Sequence, residues 1–339
     1  KKKSLIENES EQNMQTIDCA DDCIKKFYNK IKPQWKTAFI GTVIIGILTY
    51  AYTMSNHFLT YDSMWNLYSN QDMITSGRQF LMYACGIGSY YDLPWINGLL
   101  AVFYLALAAV VVTEGLGIQS KTGALLAGGL LVTFPSIAST FCYTYTIDGY
   151  MLAVLLAALA FLLTDRKKWG FAGGIVLLGI SMGIYQAYLS FTIVLCILRL
   201  LLDLIEKDAI KETFAKMCRY IVMGIGSYLF YVVTLKVMLK IKDTEISGYQ
   251  GTDRIGSFSP AELPEGLKAA WHNFIDFARW SNVLTGTEVM KYAFVSVAVL
   301  AVILFLVLFL KEKRYKSVLR IVMMCALVAA IPFGATIVN

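Results

Sequence analysis

The chain has 339 residues, 57% of them hydrophobic and only 16% charged, with a mean hydropathy of +0.58 and a formal net charge of +6. A soluble globular protein carries about 25% charged residues, so this composition excludes that class. Several apolar runs of about 18 residues or more make the chain a polytopic, all-α membrane protein.

Taken in order, residues 1–36 are polar and basic and end in KKFYNKIKPQWK. They carry no cleavage signal, and the first apolar run is too long for a signal-peptide core. The lysine-rich flank ahead of span 1 (37–56) places the N-terminal segment in the cytoplasm by the positive-inside rule. Spans are expected next at 95–116, 123–141, 149–164, 170–183, 189–202, 220–240, 291–310 and 318–338, about nine in all. Pro135 should kink or end the third. The basic clusters DRKK and KEKRYK then share the cytoplasmic side with the N-terminus, and two long polar loops, 57–94 and 241–290, fall outside. The charged stretch 203–219 reads as an inner segment with a helical pattern. The chain thus divides into a cytoplasmic segment, 1–36, and a transmembrane domain, 37–339, whose far end follows directly on an apolar run and is open to continuation. No repeat at fixed period and no inverted pair of broken helices is visible, which weighs against an inverted-repeat transporter.

The seven cysteines mostly sit in or beside apolar runs, where they act as small hydrophobes. Cys19 and Cys23 fall on the reducing side of the membrane. Cys85 and Cys142 both fall outside, which leaves a bridge open. The two histidines and the cysteines form no cluster with zinc spacing.

The loop 57–94 is the stretch most suited to chemistry, since loops this long inside a compact architecture tend to be functional. Met64, Leu67, Tyr68, Met73, Ile74, Phe80 and Leu81 recur at helical spacing, which predicts one or two amphipathic helices lying on the membrane surface. Asp62, Asn66, Ser69, Gln71 and Asp72 make the polar side. A carboxylate held there is placed to deprotonate a hydroxyl, although a loop aspartate is as readily a solvated residue. The helical pattern in PAELPEGLKAAWHNFIDFARW (260–280) places Leu267, Ala270, Trp271, Phe274, Phe277 and Ala278 on a stripe for packing against protein or membrane.

The spacing of Asp62, Tyr68, Gly77 and Arg78 resembles the first outer loop of the GT-C glycosyltransferases, membrane enzymes that use polyprenyl-phosphate sugars. Within that class, YDSMWNLYSNQDMITSGRQF (61–80), LPWINGLL (93–100), TIDGYMLAVLL (146–156) and GIYQAYLS (183–190) together resemble the bacterial O-antigen glucosyltransferases of the GtrII type. The resemblance covers most of 37–200 and fades after span 7. One departure is that many GT-C members carry paired acids where this chain has Asp62-Ser63. A second acid would have to come from Asp72 or Asp148, or be absent.

The resemblance implies a GT-C-type bundle with its site at the outer face of the bacterial cytoplasmic membrane. Asp62 would be the base of an inverting transfer of a hexose, glucose first, from polyprenyl phosphate to a cell-surface glycan. The departing phosphate calls for cations. Arg78 is the first candidate. Lys236 and Lys240, four apart on one face at the outer end of span 7, are the next, and Arg254 in the second loop is a lower-weighted option. Each has an ordinary use as well, in contact with lipid headgroups or by snorkelling. Asp148 would border the sugar pocket in the resembling family, though an acid there also caps a helix. Tyr185 and Gln186, at an outer turn, suit sugar hydroxyls or simple packing. No DxD lies in an outer loop and a lipid-phosphate donor lacks a diphosphate, so neither a metal nor a cofactor is expected, and nucleic acid is not an expected partner. The sequence leaves the oligomeric state open, and two other readings stand beside the enzyme: a transporter or flippase of lipid-linked sugars, and a non-catalytic scaffold.

Overall fold

The computed structural model describes residues 25, 29–56, 60–66, 68–206, 210–248, 263–278, 288–311 and 317–336. Arg254, Cys19 and Cys23 lie outside the described residues. The described residues fold as helices: α1 (Pro33–Asn56), α2 (Tyr61–Asn66), a 3₁₀ turn (Ile74–Ser76), α3 (Leu81–Ala84), α4 (Gly86–Tyr91), α5 (Pro94–Gly115), α6 (Lys121–Thr133), α7 (Pro135–Thr140), α8 (Ile147–Arg166), α9 (Gly170–Ile184), α10 (Tyr188–Glu206), α11 (Ile210–Lys242), α12 (Leu263–Ala278), α13 (Glu288–Lys311) and α14 (Val318–Thr336).

Five of these, α1, α5, α8, α10 and α11, are long and apolar enough to cross a membrane. Four shorter apolar helices run over 121–133, 170–184, 295–311 and 318–332. A bilayer needs about 20 apolar residues per span, so the expectation of about nine spans stands for five and rests elsewhere on shorter helices. The third expected span is divided. Phe134 is extended (φ −60°, ψ 137°), as the residue before a proline prefers, and α7 restarts at Pro135. The break leaves the Val132 carbonyl without its partner in the next turn, and Tyr50 Oη donates to it at 2.6 Å. The Tyr50 ring stacks on Phe141, with centroids 3.5 Å apart.

At the centre stands α8, packed between α5 and α9 with α10 behind it. Its Ala153, Ala157, Ala158 and Ala160 are fully buried, and such small residues let helix backbones approach closely where lipid supplies no hydrophobic drive. α1 packs on α5 and α6, α9 on α11, and α10 on α14. At Gly128 an added Cβ would lie 2.2 Å from Thr42 Oγ1, so the α1–α6 contact requires glycine there.

The loop after α1 departs from the amphipathic helices expected of it. Its regular pieces are at most six residues long. Tyr68 and Gln71 adopt left-handed backbone (φ 57° and 58°), at a cost of about 1–2 kcal/mol each, and this breaks the helical run. Gln71 is buried and its Nε2 donates to the carbonyls of Asn66 (3.0 Å) and Ser69 (3.2 Å), which holds the broken form. Cys85 and Cys142 are not joined in a disulfide. The charged stretch 203–219, expected to be helical, falls in two helices: up to Glu206 it ends α10, and from Ile210 it is the first part of the 33-residue α11. α12 packs on α14, with Ala270 buried and Leu267 and Trp271 exposed.

Candidate active site

The end of the bundle where α1 finishes, called upper here, gathers most of the residues singled out above. The segment 71–80 is docked across the ends of α9 and α11. Phe80 N–H donates to the Gly183 carbonyl at 2.8 Å, and the Phe80 ring lies where a Cβ on Gly183 would stand (2.3 Å). Glycine in the GIYQAY turn therefore seats this loop. Gln79 Nε2 donates to the Tyr231 carbonyl and to Thr234 Oγ1, each at 3.2 Å. Ser247 N–H donates to the Thr75 carbonyl at 2.9 Å.

Arg78 emerges from this docked segment. Nη1 donates to Tyr150 Oη at 3.0 Å, and the guanidinium carbon lies 4.8 Å from the centroid of the Tyr185 ring, a cation–π distance. Tyr150, Tyr185 and Tyr188 continue as an aromatic cluster, with centroids 5.0 and 5.5 Å apart. Arg78 Nε is buried and meets no acceptor among the described residues. Its neighbours are the Tyr150 hydroxyl and the Tyr185 ring, and among the described residues no carboxylate forms an ion pair with it. A buried donor without a partner costs about 1–3 kcal/mol or more when charged, so this geometry is one that an incoming anion would relieve.

Asp62 sits in the first turn of α2 and is exposed. Its backbone carbonyl accepts from Asn66 Nδ2 at 2.8 Å. Tyr145, in the loop before α8, ties the two charges into one neighbourhood. Burial first, then Tyr150 and Asp62, raise its hydroxyl above the ordinary tyrosine range, while Arg78 acts the other way. That phenol therefore stays protonated as a hydrogen-bond donor.

The remaining candidates separate. Asp148 is buried, 2% exposed, in the first turn of α8, and Gly149 beside it brings α3 close (Cys85 Sγ 3.0 Å from a built Cβ). Asp72 is exposed and forms an ion pair with Lys242 at the end of α11. Lys236 and Lys240 are exposed on α11. Gln186 faces inward rather than toward an open pocket: its Nε2 donates to the carbonyls of Ser76 (3.2 Å) and Gly77 (3.0 Å) and to Tyr231 Oη (3.0 Å). Sequence reasoning missed Tyr231, Gln79 and the role of Tyr150. An aromatic inside an apolar span carries no local signal of its partners, whereas Tyr150 was approachable through its place beside Asp148 and Gly149.

Helices of membrane-crossing length define a helical membrane protein, and Arg78 with its tyrosines clusters at one end of the bundle. The family follows from the sequence as a whole: the model described as Glucosyl transferase GtrII matches residues 51–339. The chain belongs to that glucosyltransferase family, and the match runs well past span 7, where the local motifs had ceased to carry the resemblance. No curated protein and no solved structure matches the chain.

Proposed function

We propose that the chain is a GT-C-type enzyme that moves a hexose, glucose first, from a polyprenyl-phosphate carrier to a cell-surface glycan at the outer face of the bacterial cytoplasmic membrane. The observation that carries this reading is the Arg78 cradle: a half-buried guanidinium with a buried, unpartnered Nε, no ion pair to a described carboxylate, and Asp62 acting on the same tyrosine, Tyr145, as Arg78 does. Asp62 takes the proton of the acceptor hydroxyl as that oxygen bonds to the anomeric carbon. The bond from that carbon to the phosphate oxygen breaks on the opposite face, and the configuration inverts. The phosphate gains charge as it leaves, and Arg78, with Lys236 and Lys240 nearer the headgroups, receives it. Tyr145, Tyr150 and Tyr185 offer hydroxyls and ring faces of the kind a sugar needs. Asp148 borders the sugar from the start of α8. The positive-inside rule supports a cytoplasmic N-terminus and an outer site.

The test uses purified protein in proteoliposomes, glycan from the same cells, and radiolabelled glucose offered either on polyprenyl phosphate or as a nucleotide sugar. Transfer from the lipid donor only, unchanged by a divalent-ion chelator, is the expected result. Equal or faster transfer from the nucleotide sugar overturns the donor assignment, and loss on chelation with recovery on adding a divalent ion overturns the metal-free mechanism.

A further inference from the structure

The peptide unit that joins Gly77 to Arg78 is held at both of its polar atoms. Its carbonyl accepts from Tyr231 Oη at 3.0 Å and from Gln186 Nε2 at 3.0 Å. Its N–H donates to the Met73 carbonyl at 3.1 Å, across the isolated bridge between Met73 and Arg78. Gly77 is left-handed (φ 74°), a conformation glycine adopts without steric cost, and this turns its carbonyl toward α11. Tyr231 is itself fixed: it is 1% exposed, its hydroxyl accepts from Gln186 at 3.0 Å, and its carbonyl accepts from Gln79. Residues on either side of Arg78 are thus pinned to α11, and the direction in which the Arg78 side chain leaves the backbone is set from α11 and the 184–187 turn.

We infer that Tyr231, with Gln186, is a positioning residue for donor binding: by gripping the Gly77 carbonyl it aims the Arg78 guanidinium at the phosphate of the lipid donor. This rests on the assignment of Arg78 to that phosphate. It moves Gln186 from contact with the sugar to support of the cation. Neither residue touches the donor. Their effect is to keep the guanidinium preorganised, so that binding costs no ordering of the loop.

The experiment is a set of donor titrations in proteoliposomes with polyprenyl-phosphate glucose, for the wild type, Tyr231→Phe, Gln186→Ala, Arg78→Ala and Tyr231→Phe combined with Arg78→Ala. Tyr231→Phe keeps the ring and deletes both hydrogen bonds of its hydroxyl, the one given to the Gly77 carbonyl and the one accepted from Gln186. It is expected to raise the donor KM about 3- to 10-fold, the scale of such bonds, with kcat within about twofold and an unchanged melting temperature. Gln186→Ala is expected to act in the same direction. In the Arg78→Ala background, Tyr231→Phe should add nothing, because the group it aims is gone. Two results overturn the positioning role: an unchanged KM in folded Tyr231→Phe, or effects of the two substitutions that simply multiply. Loss of folded protein in both Tyr231→Phe and Gln186→Ala also overturns it, since the contacts would then serve the framework alone. If Arg78→Ala itself leaves the donor KM unaltered, the phosphate assignment falls first and is recognised as a separate failure.

Discussion

The two ends of the bundle treat charge in opposite ways. At the lower end, where α1 begins, charged groups are paired with counter-ions from within the chain, although Arg199 keeps a buried Nε without an acceptor among the described residues. Glu114 accepts from Lys32 Nζ (2.8 Å), Trp35 Nε1 (2.9 Å) and Arg166 Nη2 (3.0 Å). Lys216 sits between Asp165 and Asp203, 2.6 Å from each, and Asp203 also accepts from Arg199 at 2.5 Å. Tyr220 Oη donates to Asp165 at 2.8 Å. Even the polar cavity of about 500 Å³ at this end, lined by Asp165, Arg166, Arg199, Glu206 and Lys216 among others, mixes both signs. At the upper end Arg78 faces tyrosines and Asp62 is exposed, and neither forms an ion pair among the described residues. Charges that hold helices together are neutralised in place. Charges left without a counter-ion are where a ligand would complete the structure.

The comparison is broken most severely at Asp62. Asp62→Asn removes a base and keeps the shape, so transfer should fall by about 10²–10⁴-fold with the melting temperature retained; wild-type-like transfer by this variant would remove Asp62 from the chemistry. Next comes Lys216→Met, which leaves two buried carboxylates facing each other. It should lower unfolding stability by about 3–5 kcal/mol, measured in detergent by denaturant titration, with the donor KM of the folded fraction unchanged. A stability loss below about 1 kcal/mol would mean that the lower network is dispensable. The smallest effect belongs to Asp72→Ala at the upper end. The same kind of lysine–carboxylate pair, with Lys242, is 31% exposed on both sides, and exposed pairs contribute only about 0–1 kcal/mol. The stability change should stay in that range and shrink further with added salt.

The sequence reading and the structure agree best where physics leaves one solution. An apolar run in lipid must satisfy its backbone internally, so the spans expected at 95–116 and 149–164 appear as Pro94–Gly115 and Ile147–Arg166. The loop 57–94 was less legible. Its apolar residues do recur at helical spacing, yet Tyr68 and Gln71 take left-handed backbone and the 71–80 segment answers to α9 and α11 instead. The helical pattern of 203–219 was legible, but the pairing of Lys216 with Asp203 was not, because it crosses from α10 to α11. Asp62 and Arg78 were visible from residue type and position. The contacts that orient Arg78 come from Tyr231 and Gln186, more than 100 residues away, and no local pattern announces them.

One helix serves both ends. Lys216, Tyr231 and Lys242 all belong to α11, and at 1.5 Å per residue the 26 steps from Lys216 to Lys242 span about 39 Å, more than the roughly 30 Å hydrocarbon layer. A rod clamped at its foot by two aspartates and at its head by the first loop has little freedom to lean. Helices that outreach a bilayer answer a thinner one by tilting. Here a tilt about the foot would slide Tyr231 against the Gly77 carbonyl, so the thickness of the surrounding membrane bears directly on the aim of Arg78.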